Sequence, residues 1–525
     1  MNTMKQEGID RRSFIRNLCI AGSAVVGATA LSGCAPRTKN DSGSTNAGGA
    51  DVAWDEECEV LVVGSGYAAS AAAYEAKIAG ADVKMIEKMG ILGGNSTIAD
   101  GDFAVCGSEG QKALGIKDSV DIYVNDMLIA GLNLNDKEKC RTLAEKSNET
   151  WEWTRDVLGV AWQTNADGIV EPIPYGGHSV LRTLHPKEHG GGSIVSALHT
   201  KLNELGVFGE TNRMLTALIT DADGRVIGAK VHDGAVDNDG STGSPCFIKA
   251  KKAVILGTGG FGSDLLWRMQ HVPYIDETVD CTNQPGATSD ALQAAIATGA
   301  LPVHLDWIQL GPWCSPDEVG YGAGPSFIDA NAGYSPSIDP QSGKRVVNEL
   351  TDRKQYSEAI LANGVPLIQV VDKRNIPDWA LEFFDAAIKA GITWEFDSLD
   401  ALAQEFSIPV DAFKAEMARY NDFIRAREDL DFGKVFPATT VPIEQAPFIA
   451  TRVWPKVHHT MGGVKTDTDG QVLNVSLKKI PGLFAAGEVT GGVHGACRLG
   501  SCATADCLVN GRIAGQKAAA QEAIA

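Results

Sequence analysis

Arg498 is the one arginine in a stretch of small residues, GEVTGGVHGACRLGSCATADC, that runs from Gly487 to Cys507. Glycine and alanine allow a backbone to approach a flat or phosphorylated group closely. The planar guanidinium of arginine binds carboxylate and phosphate groups through two parallel hydrogen bonds. This combination of residue types predicts a surface for a flat ligand, with Arg498 placed to hold an anionic group beside it.

The segment CEVLVVGSGYAASAAAYEAKIAGADVKMIEK has the pattern of a dinucleotide-binding unit. An apolar run predicts a buried parallel strand, and a glycine turn and an alanine-rich helix follow it. Gly64 makes the tight turn, Gly66 lets the backbone approach a pyrophosphate, and Ala69 keeps the helix close to the sheet. A second strand ends near Glu87, whose carboxylate is predicted to accept a hydrogen bond from a ribose hydroxyl.

Three further segments indicate that the dinucleotide is FAD rather than NAD. GGNSTIADGDF follows the second strand, where FAD enzymes pass the backbone along the pyrophosphate and the flavin. KKAVILGTGGFG resembles the second glycine motif of flavoproteins with two dinucleotide-binding folds. IPGLFAAGEVTGG resembles their C-terminal motif, in which the acidic residue, here Glu488, binds the ribityl chain. The sequence predicts non-covalent FAD, since no segment resembles the motif that links flavin to histidine.

The composition limits the classes of partner. The chain has 525 residues, enough for two or more domains, and its formal net charge of −20 argues against nucleic acid as a partner. The sequence contains no Cys-x-x-Cys pair, and the spacing of its cysteines is not that of metal ligands. No metal site is therefore predicted.

The N-terminus carries the pattern of a twin-arginine (Tat) export signal. Arg11 and Arg12 precede an apolar run that is too short for a comfortable membrane span. The run ends in LSGC, which resembles a lipoprotein cleavage site. Residues 1–33 are expected to be removed, Cys34 to carry a lipid anchor, and residues 34–54 to form a flexible tether. The protein is then expected in the cell envelope, on the outer side of the cytoplasmic membrane; cleavage without lipidation is the alternative.

Taken together, the motifs resemble those of the FAD-dependent fumarate reductase flavoproteins of the FAD-binding 2 type, which include urocanate reductase and other exported enoate reductases. HHTMGG, GATSDA and AAGEVTGGVHGACRLG carry most of the resemblance. It implies an α/β fold, in which a split Rossmann-like FAD-binding domain of the two-dinucleotide-binding-fold type holds an inserted α+β capping domain. The FAD-binding domain would comprise residues 55–305 and 458–525, and the capping domain residues 306–457.

The resemblance also implies which residues bind FAD. The helix that begins near Gly500 is expected to point its N-terminus at the flavin, where its dipole stabilises the negative charge of the reduced ring. The complete set of predicted cofactor-binding residues is Gly64, Gly66, Ala69, Glu87, Gly93, Gly94, Asn95, Ser96, Thr258, Gly259, Gly260, Asp290, His459, Glu488, Ser501 and Ala503.

The reaction implied by the resemblance is the reduction of a carbon–carbon double bond beside a carboxylate. It requires hydride from flavin N5 for the β carbon, a proton for the α carbon, and cations that polarise the carboxylate. The resemblance assigns the carboxylate to His458 and Arg498 and the proton to Arg353. Because arginine normally stays protonated, Arg353 needs a proton relay behind it. A second carboxylate clamp is the alternative role for Arg353.

The chain departs from the family pattern behind Arg353. Relatives place a glutamate and an arginine upstream in the cap as the proton relay. The corresponding stretch, FIDANAGYSPSIDPQSG, has Asp329 and Ala332 at those two positions. The sequence therefore leaves the identity of the relay open.

A second departure concerns the substrate. Relatives that act on fumarate have a histidine for the second carboxylate where LDWIQLGPWCSPD has Gly311. Without that side chain, the far carboxylate of a dicarboxylate would be left unpaired. Gly311 and the nearby Trp307 and Trp313 therefore predict a pocket for a mono-carboxylate with a bulky or aromatic β substituent. The tryptophans as ordinary core residues are the alternative.

The sequence thus predicts an exported, FAD-dependent reductase of an α,β-unsaturated carboxylate that serves anaerobic respiration. Because the sequence has no haem-attachment motif, its electrons are expected from a separate membrane cytochrome or flavoprotein. A ketosteroid-type flavin dehydrogenase is one alternative, which Arg353 and Arg498 disfavour because such enzymes bind neutral ketones. A fumarate reductase proper and a flavoprotein without catalytic activity are the others.

Overall fold

A computed structural model of the chain describes residues 52–173, 177–187, 190–236 and 241–525. The predicted signal peptide, Cys34 and most of the predicted tether lie outside the described residues. Within the described part of the chain, no helix is both long enough and apolar enough to cross a membrane.

The described residues form a mixed α/β fold. The strands in chain order are β1 Glu56–Val63, β2 Val83–Ile86, β3 Phe103–Ala104, β4 Thr183–Leu184, β5 Gly209–Glu210, β6 Arg213–Thr220, β7 Val226–Asp233, β8 Ser244–Leu256, β9 Pro302–Val303, β10 Ile308–Gly311, β11 Ser337–Asp339, β12 Lys344–Arg345, β13 Leu367–Asp372, β14 Thr393–Phe396, β15 Phe448–Val453, β16 Lys456–Thr460, β17 Gly463–Lys465, β18 Gln471–Leu473, β19 Lys479–Ala485 and β20 Thr490–Gly491. The helices are α1 Tyr67–Ile78, α2 Glu109–Ala113, α3 Val120–Ala130, α4 Lys137–Asp156, α5 Gly191–Glu204, α6 Leu265–His271, α7 Asp290–Ala297, α8 Gly324–Asn331, α9 Arg353–Asn363, α10 Leu381–Ala390, α11 Leu399–Glu405, α12 Val410–Ala426 and α13 Cys502–Ala519.

The largest sheet has the strand order β18-β19-β8-β1-β2-β5, with β7 added to β8 and β6 to β7. β19, β8, β1, β2 and β5 run parallel to one another. Residues 60–63 of β1 are almost completely buried, as expected for a parallel strand covered on both faces. Since parallel strands end at one edge of a sheet, the segments that follow β1, β2, β8 and β19 meet there. These segments contain the predicted glycine motifs, Glu87 and Glu488.

Helix α1 covers one face of this sheet, and α13 lies against α1. The alanine-rich sequence of α1 lets the two helices approach closely. A Cβ atom added at Gly511 of α13 would lie 2.5 Å from the carbonyl oxygen of Ala68, so a side chain there would push the helices apart. The small residues at both ends of the chain therefore bring the first and last helices of the described fold together.

A second sheet is antiparallel and has the strand order β12-β11-β13-β15-β14. Its strands come from residues 337–453, inside the predicted capping domain, and they pack against α11 and α12 through Ile368, Phe413 and Tyr420. β10 and β16 lie side by side as an antiparallel pair. β10 lies at the start of the predicted capping domain, and β16 lies at its end. The boundaries of the capping domain stay a prediction.

Candidate active site

A cleft runs along the carboxyl edge of the large sheet. Its two ends share Tyr67, Asn95, Ser96, Glu488 and Cys507 and are therefore continuous. What we call the dinucleotide end is lined by residues that follow β1, β2 and β8. What we call the cap-facing end is lined by residues of α8, α9, β16 and the start of α13. The dinucleotide end contains Gly64, Gly66, Glu87, Gly94, Thr258, Gly259 and Asp290, and the cap-facing end contains Asp100, Asp102, Thr282, Trp313, Tyr321, Asp329, Arg353, His458, His459, Arg498, Ser501 and Ala503.

The turn after β1 requires glycine for two reasons. Gly64 has a φ of +103°, a backbone conformation that side chains disfavour. A Cβ atom there would also lie 2.5 Å from the carbonyl oxygen of Gly257, the residue that follows β8. The two glycine turns identified in the sequence thus contact each other through their backbones. Ala69 lies behind this contact, because a Cβ at Gly257 would be 2.6 Å from the Ala69 amide nitrogen.

Glu87 is fixed at the end of β2 by two donors. The Ser65 hydroxyl donates to Oε2 at 2.6 Å, and the Met89 amide donates to Oε1 at 2.9 Å. The Gly93 amide in turn donates to the Ser65 hydroxyl oxygen at 2.8 Å. Glu87 is only 8% exposed, and that surface faces the dinucleotide end. The carboxylate of Glu87 thus lines the dinucleotide end, and its contact with a ribose stays a prediction. Gly93 does not line the cleft and supports Glu87 through Ser65.

The 3₁₀ turn Gly94–Thr97 connects the two ends of the cleft. The Tyr67 amide donates to the Ser96 hydroxyl oxygen at 3.0 Å, and the Gln284 amide donates to Asn95 Oδ1 at 2.7 Å. These bonds attach the turn to α1 on one side and to the segment before α7 on the other.

Asp290, the first residue of α7, lies at the dinucleotide end. Its Oδ2 atom is 2.9 Å from Lys88 Nζ, and the Thr288 hydroxyl donates to its Oδ1 atom. The carboxylate is thus held by protein partners. Its predicted contact with the cofactor stays a prediction.

Glu488 lies where the two ends meet. The Thr460 amide donates to its Oε1 atom at 2.9 Å. A Cβ atom at Gly260 would lie 2.4 Å from the same oxygen, so Gly260 makes room for the carboxylate and does not itself line the cleft. Burial raises the pKa of Glu488, whereas the Thr460 hydrogen bonds oppose the rise.

The dimensions and chemistry of this cleft fit FAD. It is continuous over two ends, as a dinucleotide with a flavin requires. At Gly94 and Gly259 an added Cβ atom would enter open space, so the backbone of both residues is accessible from the cleft. Glu87 lies at one end, Glu488 at the junction, and the N-terminus of α13 at the other end. These are the acceptors and the positive helix end that ribose, ribityl and flavin groups need.

His458 and His459 lie on adjacent positions of β16. The Nδ1 atom of His458 is 3.0 Å from the Thr282 hydroxyl oxygen, and Nδ1 of His459 is 3.0 Å from the Thr460 carbonyl oxygen. Burial lowers the pKa of both rings well below the ordinary value, and the positive charge of Arg498 lowers it further. Both imidazoles are therefore neutral near pH 7.

Arg353 is the first residue of α9, which begins with Asp352 as its cap. The Gln355 amide donates to Asp352 Oδ1 at 3.0 Å. The guanidinium carbon of Arg353 lies 5.1 Å from the centre of the Trp313 ring. The centres of the Trp313 and His458 rings are 5.0 Å apart in an edge-to-face arrangement, so Trp313 contacts both residues. Within the described part of the chain, the buried Nη1 atom of Arg353 has no hydrogen-bonding partner.

Arg498 lies directly before the first turn of α13. It is 7% exposed, its Nη1 atom donates to the Leu499 carbonyl oxygen at 3.2 Å, and its own carbonyl oxygen accepts from Gln309 at 3.0 Å. Ser501 follows with its hydroxyl 2.7 Å from that of Thr183. The structure thus brings Arg353, His458 and Arg498 from three distant segments into one cavity, as predicted, while their catalytic roles stay predictions.

The structure corrects the prediction that Gly311 opens the substrate pocket. A Cβ atom at Gly311 would lie 3.0 Å from the Trp313 ring, so the indole occupies the space beside it. Trp313 lines the cavity and Gly311 does not. The room that the sequence indicated for a bulky β substituent is therefore filled by a side chain of the protein itself.

Several lining residues were missed by sequence reasoning. Tyr67 directly follows the glycine turn, and its position in the sequence does not indicate that its side chain faces the cleft. Asp100 and Asp102 lie inside GGNSTIADGDF, where alternating acidic residues are a signal that could have been noticed. Thr282 and Tyr321 lie in loops without a pattern, and only the fold brings them to the cavity.

Comparison with known proteins agrees with this geometry. Residues 59–504 match the family described as FAD binding domain. The chain is 39% identical over 521 residues to the acrylate reductase flavoprotein subunit of Shewanella woodyi, which covers 96% of this chain and 97% of that protein. It is 34% identical over 477 residues to urocanate reductase of Eggerthella lenta, and this match covers 88% of this chain and 75% of that protein. The solved open conformation of a flavocytochrome c3 fumarate reductase is 30% identical, with a TM-score of 0.75 over 98% of this chain and 82% of that chain.

Proposed function

The chain belongs to the family of FAD-dependent reductases that includes the fumarate reductase flavoproteins, and from this premise we propose that it reduces a small α,β-unsaturated mono-carboxylate. The predictions of an α/β fold, of FAD as the cofactor and of an oxidoreductase that acts on carbon–carbon double bonds are confirmed. The choice of substrate, the residue roles and the cellular setting described below are proposals.

The observation that carries the proposal is the charge pattern of the cap-facing end. Arg498 and Arg353 supply two cations within one cavity, and the same cavity is lined by the carboxylates of Asp100, Asp102 and Asp329. One substrate carboxylate is attracted by the arginines, whereas a second one would face the oxygen atoms of the aspartates and leave its charge unpaired. This pattern favours a mono-carboxylate over fumarate.

The size of the substrate is limited by Trp313. Its indole fills the space beside Gly311 and contacts Arg353 and His458. A small β substituent suits this arrangement better than an aryl group, so we propose an acrylate-like acid. The similarity to an acrylate reductase flavoprotein over nearly the full length of both chains supports the same choice.

In the proposed mechanism, bound FAD supplies the hydride for the β carbon. Arg498 binds the substrate carboxylate, and its burial keeps water from competing for the guanidinium. When the Thr282 hydroxyl donates to Nδ1 of His458, the neutral ring carries its proton on Nε2 and can donate it to the same carboxylate. An N–H group of Arg353 gives a proton to the α carbon as negative charge develops there.

The test is the anaerobic oxidation of the reduced holoenzyme, followed by flavin absorbance. We expect acrylate to oxidise the flavin rapidly, with fumarate, an arylacrylate and a steroid enone each slower by about tenfold or more. Arg498→Gln should weaken acrylate binding and leave the FAD content unchanged, and Arg419→Gln, on the exposed face of α12, is the matched control. Preference for fumarate or the arylacrylate would overturn the substrate choice, and oxidation by the steroid enone alone would favour the ketosteroid-type alternative.

We also propose that the protein is exported through the Tat route and anchored by a lipid on Cys34. The support is the sequence pattern of the first 34 residues alone. Changing Arg11 and Arg12 to lysine should leave the precursor in the cytoplasm, and Cys34→Ala should release the exported protein from the membrane. Normal export of the lysine variant, or acyl chains on the alanine variant, would contradict the proposal.

The proposed electron donor is a separate membrane cytochrome or flavoprotein, which would make the enzyme part of an anaerobic respiratory chain. The proposal is supported by the similarity to the acrylate reductase flavoprotein subunit, which is named as one subunit of its enzyme. Membranes from anaerobically grown cells, supplied with a respiratory reductant, should reduce the flavin of the added holoenzyme. Equally fast reduction by NADH without membranes would contradict it.

A further inference from the structure

Asp329 occupies the position of the relay glutamate behind Arg353. Asp329 lies on α8, and its exposed carboxyl group lines the cap-facing cavity. Desolvation by the surrounding protein atoms raises the pKa of Asp329; the charge of Arg353 opposes the rise, and that of Asp102 adds to it. Ala332, at the position of the relay arginine of relatives, is buried and has no titratable group. A proton that reaches Arg353 through Asp329 therefore cannot be passed on by the side chain of Ala332 and must come from another group.

Asp100 and Asp102 offer another path for the proton. Both line the same cavity from the segment between the 3₁₀ turn and β3. This segment is held at the start of α5, where the Gly191 amide donates to the Ala99 carbonyl oxygen at 2.7 Å. The Tyr321 hydroxyl donates to Asp100 Oδ1 at 3.3 Å. Desolvation and the charge of Asp102 raise the pKa of Asp100, while His185 opposes the rise and Asp329 adds to it.

His185 links the cavity wall to solvent. Nδ1 of His185 lies 2.6 Å from Asp102 Oδ1. The side chain of His185 is 37% exposed, whereas that of Asp102 is 9% exposed. The hydrogen bond to Asp102 raises the pKa of His185, and burial partly opposes it. His185 is thus a proton-carrying group with one side toward water and the other toward an acid of the active-site cavity.

We propose that His185, Asp102, Asp100 and Asp329 form a proton inlet that supplies Arg353, in place of the relay arginine that this chain lacks. The inference rests on the proposed enoate reduction. In each turnover an N–H bond of Arg353 breaks as the C–H bond at the α carbon forms. Arg353 regains its proton from the carboxyl group of Asp329, which is refilled through Asp100 and Asp102, and one solvent proton enters at His185. Reduced flavin would supply the hydride, so the reduction of each double bond consumes one hydride and one proton.

The kinetic test uses single-turnover oxidation of the reduced holoenzyme by acrylate. Asp329→Asn should slow this oxidation by about 100-fold or more and increase its solvent deuterium isotope effect, with FAD content and acrylate binding unchanged. Asp329→Glu, which keeps a carboxyl group, should retain most of the rate. Asp102→Asn and His185→Gln should slow the reaction increasingly as pH rises, because hydronium becomes scarce. Asp385→Asn, on the exposed face of α10, is the control and should behave as wild type.

A second measurement is independent of turnover. In NMR titrations of the holoenzyme, Asp102→Asn should lower the pKa of His185, because the imidazolium loses its carboxylate partner. An unchanged His185 pKa would overturn the link between solvent and cavity. Wild-type rate and isotope effect in Asp329→Asn would overturn the inlet as a whole. A slow Asp329→Asn variant beside fully active Asp102→Asn and His185→Gln variants would also overturn it, because protons would then reach Asp329 directly from the cavity. If no enoate oxidises the wild-type flavin, the proposed function fails, whereas the His185 titration still reports on the contact.

Discussion

The two ends of the cleft differ in which atoms form them: mainly backbone atoms at the dinucleotide end and ionisable side chains at the cap-facing end. At the dinucleotide end, backbone atoms of Gly64 and Gly257 approach each other, and the acidic groups are held by short-range hydrogen bonds. At the cap-facing end, the ionisable side chains of Arg353, His458 and Arg498 come together from segments far apart in the chain. Burial lowers the pKa of His458, and the charges of Arg498 and Arg353 lower it further. The dinucleotide end thus depends on close contacts between backbone segments, and the cap-facing end depends on the charges of its side chains.

This difference indicates how each end should respond to substitution. Shape is the sensitive property of the dinucleotide end, because a single added carbon atom meets backbone that cannot move away. Charge and proton availability are the sensitive properties of the cap-facing end, because its lining combines two arginines with three aspartates. Substitutions at one end should therefore change FAD binding, and substitutions at the other should change turnover.

The largest expected effect is that of Gly64→Ala. The added Cβ would lie 2.5 Å from the Gly257 carbonyl oxygen, at a φ of +103°. We expect destabilisation of about 3 kcal/mol or more and purification without bound FAD. Gly80→Ala is the matched control, since Gly80 has a φ of +90° and no atom within 4 Å of an added Cβ. It should cost about 1 kcal/mol and keep its FAD. Equal FAD content in both variants would show that shape is not the sensitive property here.

Glu87→Ala should weaken FAD binding without abolishing it. The loss of a charged acceptor for the ribose should cost about 1.5 to 3 kcal/mol, or about 10- to 150-fold in Kd. Glu57→Ala is the control, because Glu57 lies on β1 and pairs with Lys251 outside the cleft. The measurement is the Kd for FAD of the deflavinated protein. An unchanged Kd would place the ribose elsewhere.

Gly311→Ala should have a smaller effect, and at the cap-facing end only. The methyl group would press on the Trp313 ring, which contacts Arg353 and His458. We expect kcat/KM for acrylate to fall by about three- to fivefold with FAD binding unchanged. Gly311→His should have a larger effect in the same direction. Higher activity of either variant on acrylate would show that Trp313 does not position these groups.

The smallest expected effect is on the pH dependence of substrate binding. Burial lowers the pKa of His458 well below its ordinary value. A histidine that was charged in the clamp would lose its proton, and with it affinity for the carboxylate, as the pH rose through about 6.5. Because His458 is neutral already, the Kd for acrylate should stay constant between about pH 6 and pH 8. Weakening of binding over this interval would mean that His458 is a cation in the complex.

The same contrast explains how far the sequence could predict the molecule. Gly64, Gly66 and Glu87 fall within one short segment, so strand, turn and acid were recognisable from local spacing alone. The strand order of the large sheet was not predicted, because it depends on which distant segments pair with one another. Arg353, His458 and Arg498 carry no local signal of their proximity, and they were identified only through resemblance to a family.

The errors and omissions at the cap-facing end have a physical cause. Gly311 was interpreted as empty space, because the sequence does not show that the Trp313 ring turns back over it. The contact between His185 and Asp102 joins residues 83 positions apart, and no periodic pattern connects them. Side-chain direction in loops depends on tertiary packing, which local sequence does not encode.

The central claim is that the cap-facing end performs proton transfer through Arg353 while the other end holds FAD. The most direct measurement is the single-turnover oxidation of reduced Arg353→Lys by acrylate, together with its FAD content and its Kd for acrylate. Lysine keeps the charge and changes the geometry, so we expect the rate constant to fall by orders of magnitude while FAD content and Kd stay close to wild type. A rate constant close to wild type with a strongly raised Kd would contradict the account, because Arg353 would then be a clamp for the carboxylate and not the proton donor.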